Sequence, residues 1–362
     1  MKLNLSFLLL TIALTTSLSA AAATGGFRTG RVELKSAGQL AFAPNGVLLI
    51  GDSSAASIVA IETGDTKQAA VMPFEIKGIN EKIAAMVGAA ADQILIADAV
   101  VNPISKAVFL SVARGRGPDA AALILRVDHK GKITEVPLGN ASFASVNLPD
   151  APSAASKDRR GQSPRMELIT DLAYVDGKVI VAGLSNEEFS SSLRAMPYPF
   201  TAVDKAASIE IFHGAHGRFE TNAPVRTFVP FEVAGVPYIL AAYTCTPLVK
   251  IPVSELKAGN KVKGVTIAEL GNRNRPLDMI VYTKAGAQFI LMANSSRGVM
   301  KLPTAKLDSY PGITAQTEKQ GVPYETIEAF KGVQQLDKLD DKYAMMLIDD
   351  AGSLDLRAVL LP

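Results

Sequence analysis

The feature that most constrains this chain is a recurring apolar second strand that shows no polar alternation. The runs are VLLIG from Val47, ILIAD from Ile94, VIVAG from Val179, YILAA from Tyr238, FILMA from Phe289 and AMMLI from Ala344. A strand of this kind has to be covered on both faces. A two-layer sandwich would instead alternate apolar and polar residues, because each of its sheets has one wet face. The turns before these runs have a mechanism: Asn45-Gly46, Asp176-Gly177, Ala234-Gly235 and Ala285-Gly286 place glycine where a tight hairpin needs positive φ.

The hairpin is one part of a repeat. Six copies open at Gln39, Lys82, Asp171, Phe228, Leu277 and Gln334, mostly spaced roughly 43 to 60 residues apart, the range of propeller blades. The pattern predicts an all-β chain: a single β-propeller of about six blades, each a four-stranded antiparallel sheet, spanning residues 24–362. A longer interval separates the second and third copies. It holds an outer hairpin from Ala122 and a long surface loop at about 140–165, rich in Ser, Pro, Ala and charge, and it leaves a count of seven blades open. Long amphipathic helical stretches are missing, which removes a doubly wound α/β fold.

Residues 1–23 read as a secretory signal peptide: Lys2, an apolar run from Leu5 to Leu14, then small residues with cleavage expected between Ala20 and Ala23. That run is short of the about 20 apolar residues a bilayer requires, so no membrane span is expected after its removal. Cys245 is the only cysteine, so no intrachain disulfide can form, which favours a bacterial periplasm over disulfide-rich secretion. A periplasmic or secreted location is therefore expected. The net charge is +2 with Lys and Arg scattered singly, so nucleic acid is disfavoured as a partner.

The segments GQLAFAPNGVLLIGDSSAASIVAIE from Gly38 and DLAYVDGKVIVAGLSN from Asp171 resemble inner hairpins of the NHL, regucalcin and gluconolactonase group of six-bladed propellers. The resemblance covers nearly the whole mature chain. It implies a divalent metal held by carboxylate and amide oxygens in a central funnel. It does not itself carry an activity, since many functions share this architecture.

Loops after the second strands, with the connections leading into the first strands, are expected on one rim. That mapping nominates Asp52, Asp98, Asn186, Asn294, Arg275 and Arg297 for ligand binding, with Asp349 and Asp350 nearby. Converging oxygens would suit Ca²⁺, and arginines clamp anionic groups, although the same residue types are ordinary turn formers and solvated surface groups. His213 and His216, with Cys245 on the adjacent rim, have the chemistry of a Zn or Cu site. Cys245, Asp278 and Glu187 are the candidates for a catalytic role, Cys245 as nucleophile and the carboxylates as bases. The bland alternative for Cys245 is a small buried hydrophobe.

These readings favour an exported periplasmic propeller that binds a small ligand, a metal or another periplasmic protein on its funnel face. A metal-dependent lactonase or esterase-type hydrolase is the alternative. A metal- or haem-linked redox accessory protein is the third.

Overall fold

The computed structural model describes residues 26–117, 119–245 and 247–362; the signal-peptide reading of 1–23 lies outside the described residues. Six separate sheets, antiparallel apart from one short parallel pair, are arranged around one axis. Their innermost strands are Leu40–Ala43, Asp171–Val175, Val225–Val233, Pro276–Lys284, Val333–Lys338 and Ile94–Val101, here blades 1 to 6 in order around the ring. Each inner strand contacts the next, and blade 6 returns to blade 1, so the ring closes. The fold is a six-bladed β-propeller, and the seventh blade left open by the sequence is not among the described residues.

The unalternating second strands now have a physical reason. In blade 3, Ile239, Ala241 and Tyr243 pack into a cluster shared with blade 2, while Leu240 and Ala242 pack into one shared with blade 4. All five are fully buried. Each of the six joints has a cluster of its own, so successive side chains of one strand face different neighbours and all must be apolar. The hairpin turns behave as their residues demand: Asp176 and Gly177 both take positive φ, +45° and +76°.

Chain order and ring order differ. The chain builds three strands of blade 1 (Leu40–Ala43, Val47–Asp52 and Ser57–Glu62) and then crosses to blade 5, where Glu75–Ile76 becomes the fourth strand. A helix, Ile79–Val87, leads into blade 6, and Ala141–Asn147 returns to complete blade 1. Blades 2, 3, 4 and 5 then follow, with Lys261–Lys263 reaching back to the edge of blade 2 and Lys319–Gly321 to the edge of blade 3. Blades 1 and 5 are thus each assembled from distant segments, the latter by pairing of Ile76 with Leu356.

Two expectations are corrected by this path. The copy opening at Lys82 begins in the helix and not in a strand, because Ile79, Ile83 and Ala84 recur at helical spacing and bury one face between blades 5 and 6. ILIAD is accordingly the first strand of blade 6, and its second is Val108–Arg114. Within the interval read as a surface loop at 140–165, residues 141–147 are a paired strand, and irregular chain begins only beyond them.

The blade 5 closure is pinned by polar contacts. Asn80 Nδ2 donates to Gly352 O at 3.0 Å, and Leu354 N donates to Asn80 Oδ1 at 2.9 Å, with Asn80 itself buried. Asn80→Ala should cost about 1–3 kcal/mol, roughly 0.5–1.5 for each of the two hydrogen bonds lost to Gly352 O and Leu354 N. Urea unfolding reads this directly, and an unchanged midpoint would contradict the closing role of this contact.

Candidate functional site

Each inner strand, or the residue just before it, presents one polar residue to the central channel. Around the ring these are Gln39, Asp171, Thr227, Asp278, Gln335 and Asp98, and all six line one central cavity. In blades 3 to 6 the residue follows an irregularity in strand pairing, which turns it inward. Carboxylates therefore occupy every second blade, alternating with amide or hydroxyl groups.

Each of these aspartates holds its neighbour. Leu40 N donates to Asp98 Oδ2 at 2.7 Å, Phe228 N to Asp171 Oδ2 at 2.7 Å and Leu336 N to Asp278 Oδ2 at 2.9 Å. The other oxygen of each accepts the backbone N–H of its own following residue. Asp337, two residues deeper in blade 5, does the same for blade 6 by accepting from Val101 N at 2.7 Å. With its amide turned to suit its surroundings, Gln335 donates to both Asp278 Oδ2 and Asp98 Oδ1 at 3.1 Å.

Burial raises all four carboxyl groups above the usual range, and backbone donors only partly offset it. Asp98 and Asp171 are pushed up to about 7 and Asp337 to about 6. Asp278 is raised well above its ordinary value, first by burial and then by the charges of Asp98, Asp171 and Asp337. No Lys or Arg forms an ion pair with any of the four among the described residues.

The cavity has a volume of about 600 Å³. Its walls include Leu40, Phe42, Leu172, Tyr174, Met279 and Leu339, and it extends to Pro103, Lys106 and Asp341 at the turns that follow the first strands. It therefore runs toward the face opposite the loops that sequence reasoning nominated. At the ring end Arg226 also lines the cavity, pairs with Glu167 and donates through Nε to Thr244 Oγ1 at 3.1 Å.

The nominated residues divide into three groups. Asp98 and Asp278 converge in the channel, from inner strands and not from rim loops. Asp52 and Asn294 are buried anchors of their own turns. Asp52 accepts from Lys35 N, Ser36 N, Ser36 Oγ and Ala55 N, and Asn294 donates to Met292 O and Gly298 O. The side chains of Asn186, Arg275 and Arg297 are exposed, and Arg297 donates to Asn272 O; none of them lines the cavity. Glu187 pairs with Lys205 at 2.6 Å, away from the channel, which removes it as a base there.

His213, His216 and Cys245 do come together. One ring nitrogen of each histidine and the Cys245 sulfur lie within 4.8 Å of one another, at the joint between blades 2 and 3. Glu220 lies beneath both imidazoles. Burial pushes its carboxyl up, but the hydrogen bonds with His213 and His216 outweigh that and hold it at about 2.

Asp171, Asp337, Gln39, Gln335 and Thr227 were missed at the sequence level. A signal existed: QLAF, DLAY, TFVP, DMIV, QLDK and DAVV each begin with a polar residue at the same place in the repeat.

No family model matches the chain, and no curated protein matches it in sequence. Among solved structures it is similar to a glucose dehydrogenase, with 13% identity over 92% of this chain and 100% of that one and a TM-score of 0.37. A soluble aldose sugar dehydrogenase from Escherichia coli matches at 12% identity, over 92% of this chain and 100% of that one, with a TM-score of 0.34. A streptogramin B lyase matches at 9% identity, over 94% and 100%, with a TM-score of 0.36. At identities and TM-scores this low, none of these likenesses carries a role over to this chain.

The raised carboxyls give a stability prediction with a definite sign. A group protonated in the folded state but ionised in the unfolded chain stabilises the fold below about pH 4, and that contribution is lost as pH rises through its folded pKa. Asp98, Asp171 and Asp337 place this loss between about 4 and 7, and buried Glu269, pushed up to about 7, adds to it. The melting temperature of the ligand-free protein should fall from pH 5 to pH 8, and less steeply in Asp98→Asn. A rise over that window would contradict the assignment.

Proposed function

We propose that this protein is an exported binding propeller whose channel takes a small organic ligand by a positively charged group seated against Asp98, Asp171 and Asp278. The observation that carries this reading is the convergence of three carboxylates from alternate blades on one channel, with no Lys or Arg among the described residues paired to any of them. Ionising them together is costly, and a bound cation removes that cost. The cavity volume lies within the range of small-molecule sites, and its apolar walls suit the carbon skeleton of an amine better than a bare ion.

The divalent metal implied by the family resemblance fits the same chemistry. Asp98, Asp171 and Asp278, with Gln39 and Thr227, offer the oxygen donors that Ca²⁺ takes. A hydrolase reading draws on one specific observation, that Asp98 at about 7 has the basicity of a general base. Under that reading lactone or ester turnover would be sensitive to a chelator and lost in Asp98→Asn.

The binding reading is tested by calorimetry with a panel of primary and quaternary amines, and with CaCl₂, between pH 5.5 and 8. At least one amine should bind, more tightly as pH rises and the ring ionises, and Asp278→Asn should weaken it at least tenfold. Binding of Ca²⁺ alone, or amine binding indifferent to Asp278→Asn, would overturn the organic-cation assignment. Export is checked separately by N-terminal sequencing of the mature chain, which should begin between residues 21 and 24.

A further inference from the structure

His213 ends the outer strand Ala207–His213 of blade 2 and is only 3% exposed, yet its Nε2 has no hydrogen-bond partner. A buried polar atom left without a partner has given up its hydrogen bonds to water with nothing in return, and native proteins rarely leave one so. Its other nitrogen is engaged: His213 Nδ1 lies 2.8 Å from Glu220 Oε2, and His216 Nδ1 lies 2.7 Å from Glu220 Oε1. A carboxylate there accepts from both rings, which puts the proton on each Nδ1 and leaves each Nε2 lone pair free. The rings lie side by side with centroids 3.9 Å apart and a tilt of 40°. A carboxylate behind a histidine is the usual means of orienting a metal-binding imidazole.

The third group comes from the next blade. Cys245 occupies a turn of blade 3 at φ +63°, a left-handed conformation, and its N–H donates to Asn274 O at 2.6 Å. Its position relative to the histidines is therefore set by backbone. The turn carrying His216 is fixed as well. Gly214 N donates to Glu269, and a Cβ on Gly214 would come within 2.7 Å of Glu269 Cγ, so glycine lets the turn settle on that carboxylate.

We propose that His213, His216 and Cys245 form a mononuclear transition-metal site at the joint between blades 2 and 3, separate from the channel and suited to Zn²⁺ or a comparably soft ion. Two imidazole nitrogens and a thiolate are the donors such ions take, and three protein ligands leave a fourth position open. Donor separations in a tetrahedral zinc site are roughly 3.4 Å. The present spacing within 4.8 Å closes to that by rotation of His216, which is 43% exposed, and of the half-buried Cys245. Apolar packing alone does not account for a buried imidazole nitrogen without a partner in the same cluster as a second imidazole and a thiol.

The test uses the full mature protein, stripped with a chelator and titrated with Zn²⁺ and, as a spectroscopic probe, Co²⁺. One ion per chain should bind, with Co²⁺ giving a thiolate charge-transfer band. Cys245→Ser should abolish the band, His216→Ala should weaken Zn²⁺ at least tenfold, and Glu220→Gln should weaken it 10- to 100-fold, as loss of an orienting carboxylate does. His216 and Cys245 are both accessible, so their variants are expected to fold; the melting curve of metal-free protein checks this. Absence of binding at micromolar Zn²⁺, or a Co²⁺ spectrum unchanged in Cys245→Ser, would overturn the proposal.

Discussion

Backbone N–H groups of one blade donate to buried carboxylates of its neighbour, and the central channel depends on that interaction. Asp98 links blade 6 to blade 1, Asp171 links 2 to 3, Asp278 links 4 to 5 and Asp337 links 5 to 6. The same oxygens form the polar floor of the cavity. Structure and candidate site are therefore one arrangement. The energetic weight lies elsewhere, however. Each joint buries a cluster of apolar side chains at about 1.5–3 kcal/mol apiece, whereas a hydrogen bond to a charged group is worth about 1.5–3 kcal/mol in total. Apolar packing drives closure, and the carboxylates set which strand head faces the axis. Because desolvation lifts them toward neutrality, they are a poor choice if holding blades together were their only role.

Closure also depends on how the chain is threaded. Blade 5 receives its fourth strand from residues 75–76, and Gly78 N donates to Asp355 across 277 positions of sequence. Blade 1 is likewise completed by residues 141–147 after blade 6 has been built. Two blades thus join early and late parts of the chain. Such long-range pairing has a high loop-closure cost and favours slow folding.

Much of this was legible in the residues. Continuous apolar runs such as VIVAG and FILMA demanded cover on both faces, and the six joint clusters supply it. The position of the site was less legible. By apolarity alone KIAAMV reads as a first strand and ILIAD as its second, which places Asp98 on a rim loop and not on the channel wall. The helix could be told from a strand only by the spacing of Ile79 and Ile83. Turn aspartates such as Asp52 are indistinguishable by type from channel aspartates such as Asp171. What separates them is whether their oxygens are spent on a local turn or on the next blade, a property of closure and not of local sequence. His213, His216 and Cys245 were legible as chemistry; their meeting depends on blades 2 and 3 being neighbours.

The central claim is that the channel carboxylates share a desolvated site and hold protons near neutral pH. Infrared titration of the carboxyl stretching bands in ligand-free protein tests it most directly, with Asp98→Asn and Asp171→Asn assigning the bands. A protonated carboxyl band should persist above pH 6, fade around pH 7 and lose intensity in each variant. Complete ionisation of every carboxyl below pH 5 would contradict it.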